Sequence, residues 1–274
     1  MLKMGADKLA SKEYMRQVIA MLGSTADCLI PETYWVGTSV RDLQDLEHQL
    51  PARWVLKPNH SCGRVVQVDS AKQPVDWDHL DQVTSRWLAP DEEVMVMGHQ
   101  AYRGARPLLF VEQRIGGYEI PPNDIRVFGF ADRTGAVKIW EIQESTGSHT
   151  SAFTNYRFTA GFKQKEKYHF RDGDASDATL INSSTEQVRN SLLKIGERAL
   201  APFDHVRVDF YLEAGSLWFG ELAVYPGAGL VTYGIEIDRE RGAHWQLPDL
   251  NAQDPREDEW RALLQGTPKG TLQS

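Results

Sequence analysis

In the stretch DKLASKEYMRQVIAML, residues 7–22, the apolar side chains Leu9, Tyr14, Val18, Ile19 and Leu22 recur near helical spacing. The pattern predicts an amphipathic helix, ended by Gly23 and Ser24. An extended piece, LIPETYWVG, follows and is interrupted by Pro31; residues 40–49 predict a short helix rich in Asp and Glu. RWVLKP (53–58) and VVQV (65–68) read as two strands around the turn-rich NHSCGR. Trp77, Leu80, Val83 and Trp87 share one face of a helix predicted around 76–88, and residues 90–106 read as polar and mobile. LLFVEQRI (108–115), bounded by Pro107 and Gly116-Gly117, has the length and composition of a buried strand.

The second half is richer in strands. DIRVFGFAD (124–132) and AVKIWEIQ (136–143) flank Arg133-Thr-Gly135, a hairpin signal. Residues 144–177 show no clean period and read as one long polar loop, a kind of segment that is usually functional or disordered. STEQVRNSLLKIGERAL (184–200) opens like a capping box and predicts a helix. HVRVDFYLEAGSLWFGELAVYPGAG (205–229) predicts a second hairpin, and the polar tail after Pro248 is expected to be peripheral. No internal repeat is present. Helices and strands mixed in this order indicate α+β rather than a doubly wound sheet.

Composition narrows the function classes. The chain has 274 residues, enough for one large domain or two small lobes, and its net charge of −8 argues against a nucleic-acid binder. Cys28 and Cys62 are the only cysteines and lie in no metal-like spacing, so no structural disulfide is expected and a reducing, cytoplasmic setting is. The first residues, MLKMGADKLASKEYMRQ, lack an apolar signal core. No apolar run approaches the ~18 residues of a membrane span.

Charged residues in the apolar strands carry the candidate chemistry. Lys57 ends RWVLK at the mouth of a turn holding Ser61 and Gly63. Its ammonium can sit over a phosphate while loop N–H groups donate further bonds; a solvated strand-end lysine has the same local sequence. No Walker A or GxGxxG pattern occurs. Glu112, in FVEQRI, can accept from an exocyclic amine such as that of adenine, and Glu119 from ribose hydroxyls; two solvated glutamates around a loop fit the same pattern. Arg126 shares a strand face with Phe128 and Phe130 and needs an anion there, a phosphate or a structural carboxylate.

The second hairpin carries three charges. Asp209 and Glu221 are twelve residues apart and become diagonal cross-strand neighbours if the loop around Ala214-Gly-Ser216 has an odd count. Two converging carboxylates repel unless they share a cation, and Mg²⁺ prefers oxygen ligands. Arg207 points to the same face and can neutralise a transferring phosphoryl group. The alternative is a structural Arg207–Asp209 bridge beside a surface Glu221.

Lys57 in VLKP, Glu112 with Glu119, Arg207-x-Asp209 and Glu221 in FGE, taken in order, resemble the ATP-grasp superfamily over roughly residues 7–230. The DK lysine of DKLASKEYM resembles that family's opening segment. VLKPNH, VRVDFY and FGELAVYPGAG are most similar to its TupA-like branch, associated with teichuronopeptide and other cell-surface polymer synthesis. The resemblance implies an α+β fold of two lobes, with antiparallel sheets enclosing ATP. It implies a carboxylate–amine ligase, in which ATP activates a carboxylate as an acyl phosphate and an amine displaces the phosphate to leave an amide.

By the same resemblance, Lys8 and Lys57 hold the α- and β-phosphates, with Ser61 and Gly63 in the phosphate loop. Glu112 and the backbone of Gln113, Arg114 and Ile115 bind adenine, Glu119 binds ribose, and Arg126 stands where the family has a phosphate-binding lysine or arginine. Asp209 and Glu221 ligate Mg²⁺, with Mn²⁺ as the alternative. Arg207 steadies the acyl phosphate and tetrahedral intermediate, forming the catalytic set with Lys57 and Arg126.

Two departures stand out. Ala223 occupies a position where many ATP-grasp ligases have a metal-binding asparagine, and the loop HSCGR is poorer in glycine than usual. Cys62 in that loop reads as a packing residue. The expected organisation is an opening helix over 1–28, a small lobe over 29–111, a large lobe over 112–248 and a tail over 249–274. The chain starts close to the DK segment, so the substrate domain that precedes it in many such ligases is expected to be missing and recognition to fall to the C-terminal lobe. His149 and Arg157 are the candidates there, facing small-molecule carboxylate and amine substrates, an amino acid or peptide. No nucleic acid is expected, and a homodimer is compatible with the sequence. A phosphotransferase on the same scaffold and a nucleotide-binding protein without catalysis are the rival readings.

Overall fold

The structure is a computed structural model in which residues 1–89, 100–117, 122–146, 153–170, 180–229, 234–247, 249 and 257–265 are described. It divides into two compact units. The small unit comprises residues 2–11, 31–114 and 258–274, and the large unit residues 1, 12–30 and 115–257. Helices α1 (Leu2–Ala6) and α2 (Lys8–Leu22) open the chain, and the division falls within α2.

The small unit is built on an antiparallel sheet of order β1-β4-β2-β3, with β1 Thr33–Gly37, β2 Arg53–Pro58, β3 Val66–Asp69 and β4 Leu109–Gln113. Strand alternation sends Trp35, Trp54, Leu56, Val68, Leu109 and Val111 into a core shared with α3 (Val40–Gln44) and α4 (Trp77–Leu88). The α4 helix begins where Asp76 accepts the His79 N–H, leaving Trp77, Leu80 and Trp87 to bury against the strands. The opposite face holds Val36 and Phe110, packed with Leu9 and Leu108.

The large unit has a six-stranded antiparallel sheet of order β10-β9-β5-β6-β7-β8. Its strands are β5 Asn123–Ala131, β6 Val137–Thr146, β7 Phe153–Phe158, β8 Gln164–Phe170, β9 His205–Glu213 and β10 Ser216–Ala223. After the short α5 (Leu180–Ser183), α6 (Glu186–Leu200) starts at Thr185, whose side chain accepts the Val188 N–H as the capping pattern predicts. It packs Leu192, Ile195, Ala199 and Leu200 against the sheet. Contact is close at Gly196, where a Cβ would come within 3.1 Å of Val127. The chain closes with α7 (Ile235–His244) and α8 (Glu257–Gln265).

Four expectations change. The stretch 144–177 is no single loop: it ends β6 and carries β7 and β8. The strand FTNYRF escapes a hydrophobicity reading because its polar members are buried and paired inside the sheet rather than solvated. The polar tail carries α8, with Leu263 buried, and residues 100–106 contain a 3₁₀ turn with Ala101, Tyr102 and Ala105 buried. Cys62 is exposed, not packed; both cysteines are free, and burial pushes the Cys28 thiol pKa up. No helix among the described residues is long and apolar enough to cross a membrane.

Candidate functional site

In the small unit, register explains how Lys57 and Glu112 meet. Val55 pairs with Glu112 and Lys57 with Phe110, so the two charged residues are diagonal neighbours on the face opposite the tryptophan core. Lys57 Nζ donates to Glu112 Oε1 at 2.5 Å, and Glu112 is almost fully buried.

Lys8 is the first residue of α2, and its N–H donates to Asn59 O at 3.2 Å. Asp7, wholly buried, accepts the Ala10 N–H at 2.9 Å and so caps the helix. The same carboxylate accepts from Asn59 Nδ2 at 2.7 Å and from Arg106 Nε and Nη2 at 2.9 and 2.8 Å. The loop after β2 turns through Gly63 at φ +69, a left-handed conformation that glycine adopts at no steric cost. Ser61 is buried, and its Oγ makes no hydrogen bond among the described residues. Gln113 ends β4 and spends its N–H on Glu32 O at 2.8 Å; Arg114 and Ile115 follow outside the strand. Glu119 lies outside the described residues.

In the large unit, the hairpin β9–β10 turns on two residues, Ala214 and Gly215, both with positive φ, so the loop count is even and not odd. Regular pairing from that turn would set Asp209 against Gly220. A bulge between Phe219 and Glu221 shifts the ladder by one residue and sets Glu221 directly opposite Asp209, where diagonal neighbours were expected. Gly220 permits this: a Cβ there would stand 3.1 Å from Asp209 O.

Arg207 Nε and Nη2 donate to Asp209 Oδ1 and Oδ2 at 2.6 and 2.5 Å, and Nη2 lies 3.9 Å from Glu221 Oε1. Burial raises the Asp209 pKa above the ordinary carboxylate range; Arg207 pulls it down and Glu221 adds to the rise. Burial works against the Arg207 charge, yet Asp209 and then Glu221 hold its pKa above the usual guanidinium value. Ala223 pairs across the ladder with Arg207 itself.

The row continues through the sheet. Arg126 is the cross-strand partner of Asp209 and donates to Asp124 at 2.9 Å, while its buried Nε makes no hydrogen bond among the described residues. Arg157 is buried and held by Glu141, whose other oxygen accepts from Gln143 at 2.6 Å and from Arg241 of α7 at 3.4 Å. Arg241 also lies 4.3 Å over the Trp140 ring. His149 lies outside the described residues.

Sequence reasoning missed Asp7, Asn59, Arg106, Gly220, Glu141 and Arg241. Asp7 had one signal, its place immediately before Lys8; Asn59 and Gly220 lie within the quoted VLKPNH and FGE motifs, and Arg106, Glu141 and Arg241 had no signal.

The model of the TupA-like ATP-grasp family matches residues 3–246. A chain matched over most of its length, with these ordered charges on two antiparallel sheets, belongs to that family. No curated protein matches. Among solved structures, biotin carboxylase from Campylobacter jejuni, in a β-γ-ATP complex, is similar at 14% identity and TM-score 0.48, over 89% of this chain and 47% of that one. D-Alanine-D-alanine ligase from Helicobacter pylori is similar at 15% identity and TM-score 0.43, over 96% of this chain and 61% of that one. N5-carboxyaminoimidazole ribonucleotide synthetase from Thermus thermophilus is similar at 15% identity and TM-score 0.41, over 80% of this chain. The chain spans 45% of that last relative's length.

Proposed function

We propose that the protein is an ATP- and Mg²⁺-dependent carboxylate–amine ligase, forming an amide or peptide bond in the synthesis of a peptide natural product or cell-surface polymer. One observation carries the reading: the Gly220 bulge sets Asp209 and Glu221 opposite each other, facing one guanidinium.

The carboxylates fit the metal. They share a sheet face, Glu221 is only half-buried, and Asp209 is a buried carboxylate with Glu221 directly opposite, two oxygen donors that a cation could share. Mg²⁺ needs few protein oxygens, because phosphates and water complete its shell. When bound, it supplies charge neutralisation at the transferring phosphate. Asp209 and Glu221 would hold the ion, and Arg207, loosened from Asp209, would donate to the acyl phosphate oxygens and the tetrahedral intermediate. Lys57 leaves Glu112 for the α/β-phosphates beside Lys8, and Glu112 then accepts from the adenine amine. The Arg114–Ile115 backbone and Glu119 complete base and ribose binding, and Arg126 offers its remaining N–H to phosphate.

The substrate carboxylate attacks the γ-phosphorus and ADP leaves; the amine then displaces phosphate. Positioning and electrostatics suffice, with no protein nucleophile. His149 and Arg157 remain the substrate-side candidates. Mass spectrometry of purified protein with ATP, Mg²⁺ and pooled amino acids and short peptides tests this. An amide with ADP and phosphate supports the ligase; a stable phosphorylated compound identifies a phosphotransferase. Ala223 opposite Arg207 favours one second reading, nucleotide binding without turnover, which tight ATP binding with no product would establish.

A further inference from the structure

We infer that the buried Asp7–Asn59–Arg106 network is a positioning device for Lys8 and Lys57, an inference that rests on their reading as phosphate ligands. A helix cap needs one acceptor. Asp7 instead gathers five donors: the Ala10 N–H, Asn59 Nδ2, and the backbone N–H, Nε and Nη2 of Arg106. Those partners come from segments 52 and 99 positions away in sequence.

Asn59 closes the network. Its Oδ1 accepts the Leu9 N–H at 2.9 Å, its carbonyl accepts the Lys8 N–H, and its Nδ2 also donates to Arg106 O at 3.0 Å. Its own N–H donates to Leu108 O at 2.8 Å. The backbone of one lysine is therefore bonded directly to the residue two positions beyond the other. The Arg106–Leu108 segment, which leads into the strand bearing Glu112, is locked to both.

Stability alone is a weak reason for such an arrangement, because an apolar replacement of a buried ion pair often costs nothing. A densely hydrogen-bonded polar network fixes one geometry, even though the buried Nη1 of Arg106 makes no hydrogen bond among the described residues. A misplacement of about 1 Å can cost ~10²-fold at a site that depends on alignment, so network variants are expected to weaken ATP binding by about ten- to a hundredfold.

The experiment compares ATP and adenosine binding to the full-length protein, by calorimetry and NMR titration. Asp7→Asn and Arg106→Lys should raise the ATP Kd by a much larger factor than the adenosine Kd, because both lysines serve the phosphates. A structural role alone would shift both together, following the melting temperature, and would overturn the inference. The double variant Asp7→Ser/Arg106→Met keeps a helix cap and removes both charges, so it decides the matter if a single variant does not fold. Wild-type ATP affinity in the folded double variant overturns the inference as well. Lys8→Ala and Lys57→Ala are measured alongside. If they retain ATP affinity, the phosphate reading itself fails; if they lose it and the network variants do not, only the positioning role fails.

Discussion

The two charged sets differ in how their charges are matched. In the small unit one ammonium, Lys57, meets one carboxylate, Glu112, on a sheet face beside a densely bonded network around Asp7. In the large unit Arg207 faces two carboxylates brought together by a bulge, with Arg126 across the ladder from Asp209. Burial drives the Asp209 pKa up, Arg207 pulls it down, and Glu221 adds a smaller push upward. On the proposed reading, the Lys57–Glu112 pair would exchange its internal partners for a ligand's phosphate and amine. The hairpin set holds like charges close, and a dication would relieve them.

Breaking the large-unit set should have the greatest effect. Asp209→Asn is expected to slow ADP release on the order of 10³-fold, or ~4 kcal/mol of barrier, in a steady-state assay. In the small unit Lys57→Ala strips the buried Glu112 of its lysine, and chemical denaturation should show a loss of about 3 kcal/mol. The double variant Lys57→Met/Glu112→Leu should recover that stability without recovering ATP binding.

Gly220→Ala presses a methyl group onto the Asp209 backbone and should lower turnover about tenfold, ~1.4 kcal/mol, with little change in Mg²⁺-free ATP affinity. Ala223→Asn adds an oxygen ligand opposite Arg207, and half-activation should need roughly threefold less Mg²⁺. The smallest effect concerns His205, whose Nδ1 lies 2.8 Å from Gly129 O and whose ring stacks on Phe130. Burial lowers its pKa below the ordinary value of 6.5. The folded state therefore resists its protonation, so its contribution is complete above pH 6.5 and is lost as pH falls below it. His205→Gln should narrow the fall in Tm between pH 7.5 and 5.5 by about 2 °C.

Most of the architecture was legible from period alone. The α2, α4 and α6 helices, the Arg133-Thr-Gly135 hairpin and the charged hairpin 205–229 all stand where apolar spacing and turn residues predict. The strand β7 was hidden because its polar members Thr154, Asn155 and Arg157 are buried, Arg157 by pairing with Glu141, which breaks the apolar alternation. Proximity of Asp209 and Glu221 was readable, but not its mechanism: Gly220 looks like any strand glycine until the two-residue turn shows that register must slip. Asp7 and Arg106 were missed for a similar reason. A buried carboxylate has the same sequence signature as a solvated one when its partner lies 99 positions away.

The claim that Asp209 and Glu221 form the metal-binding half of an ATP site is tested most directly by titrating ATP, with and without Mg²⁺, into the wild-type protein and Asp209→Asn by calorimetry. The account predicts that Mg²⁺ tightens ATP binding in the wild type and not in the variant, while Mg²⁺-free binding is the same in both. An equal Mg²⁺ enhancement in the folded variant would contradict it.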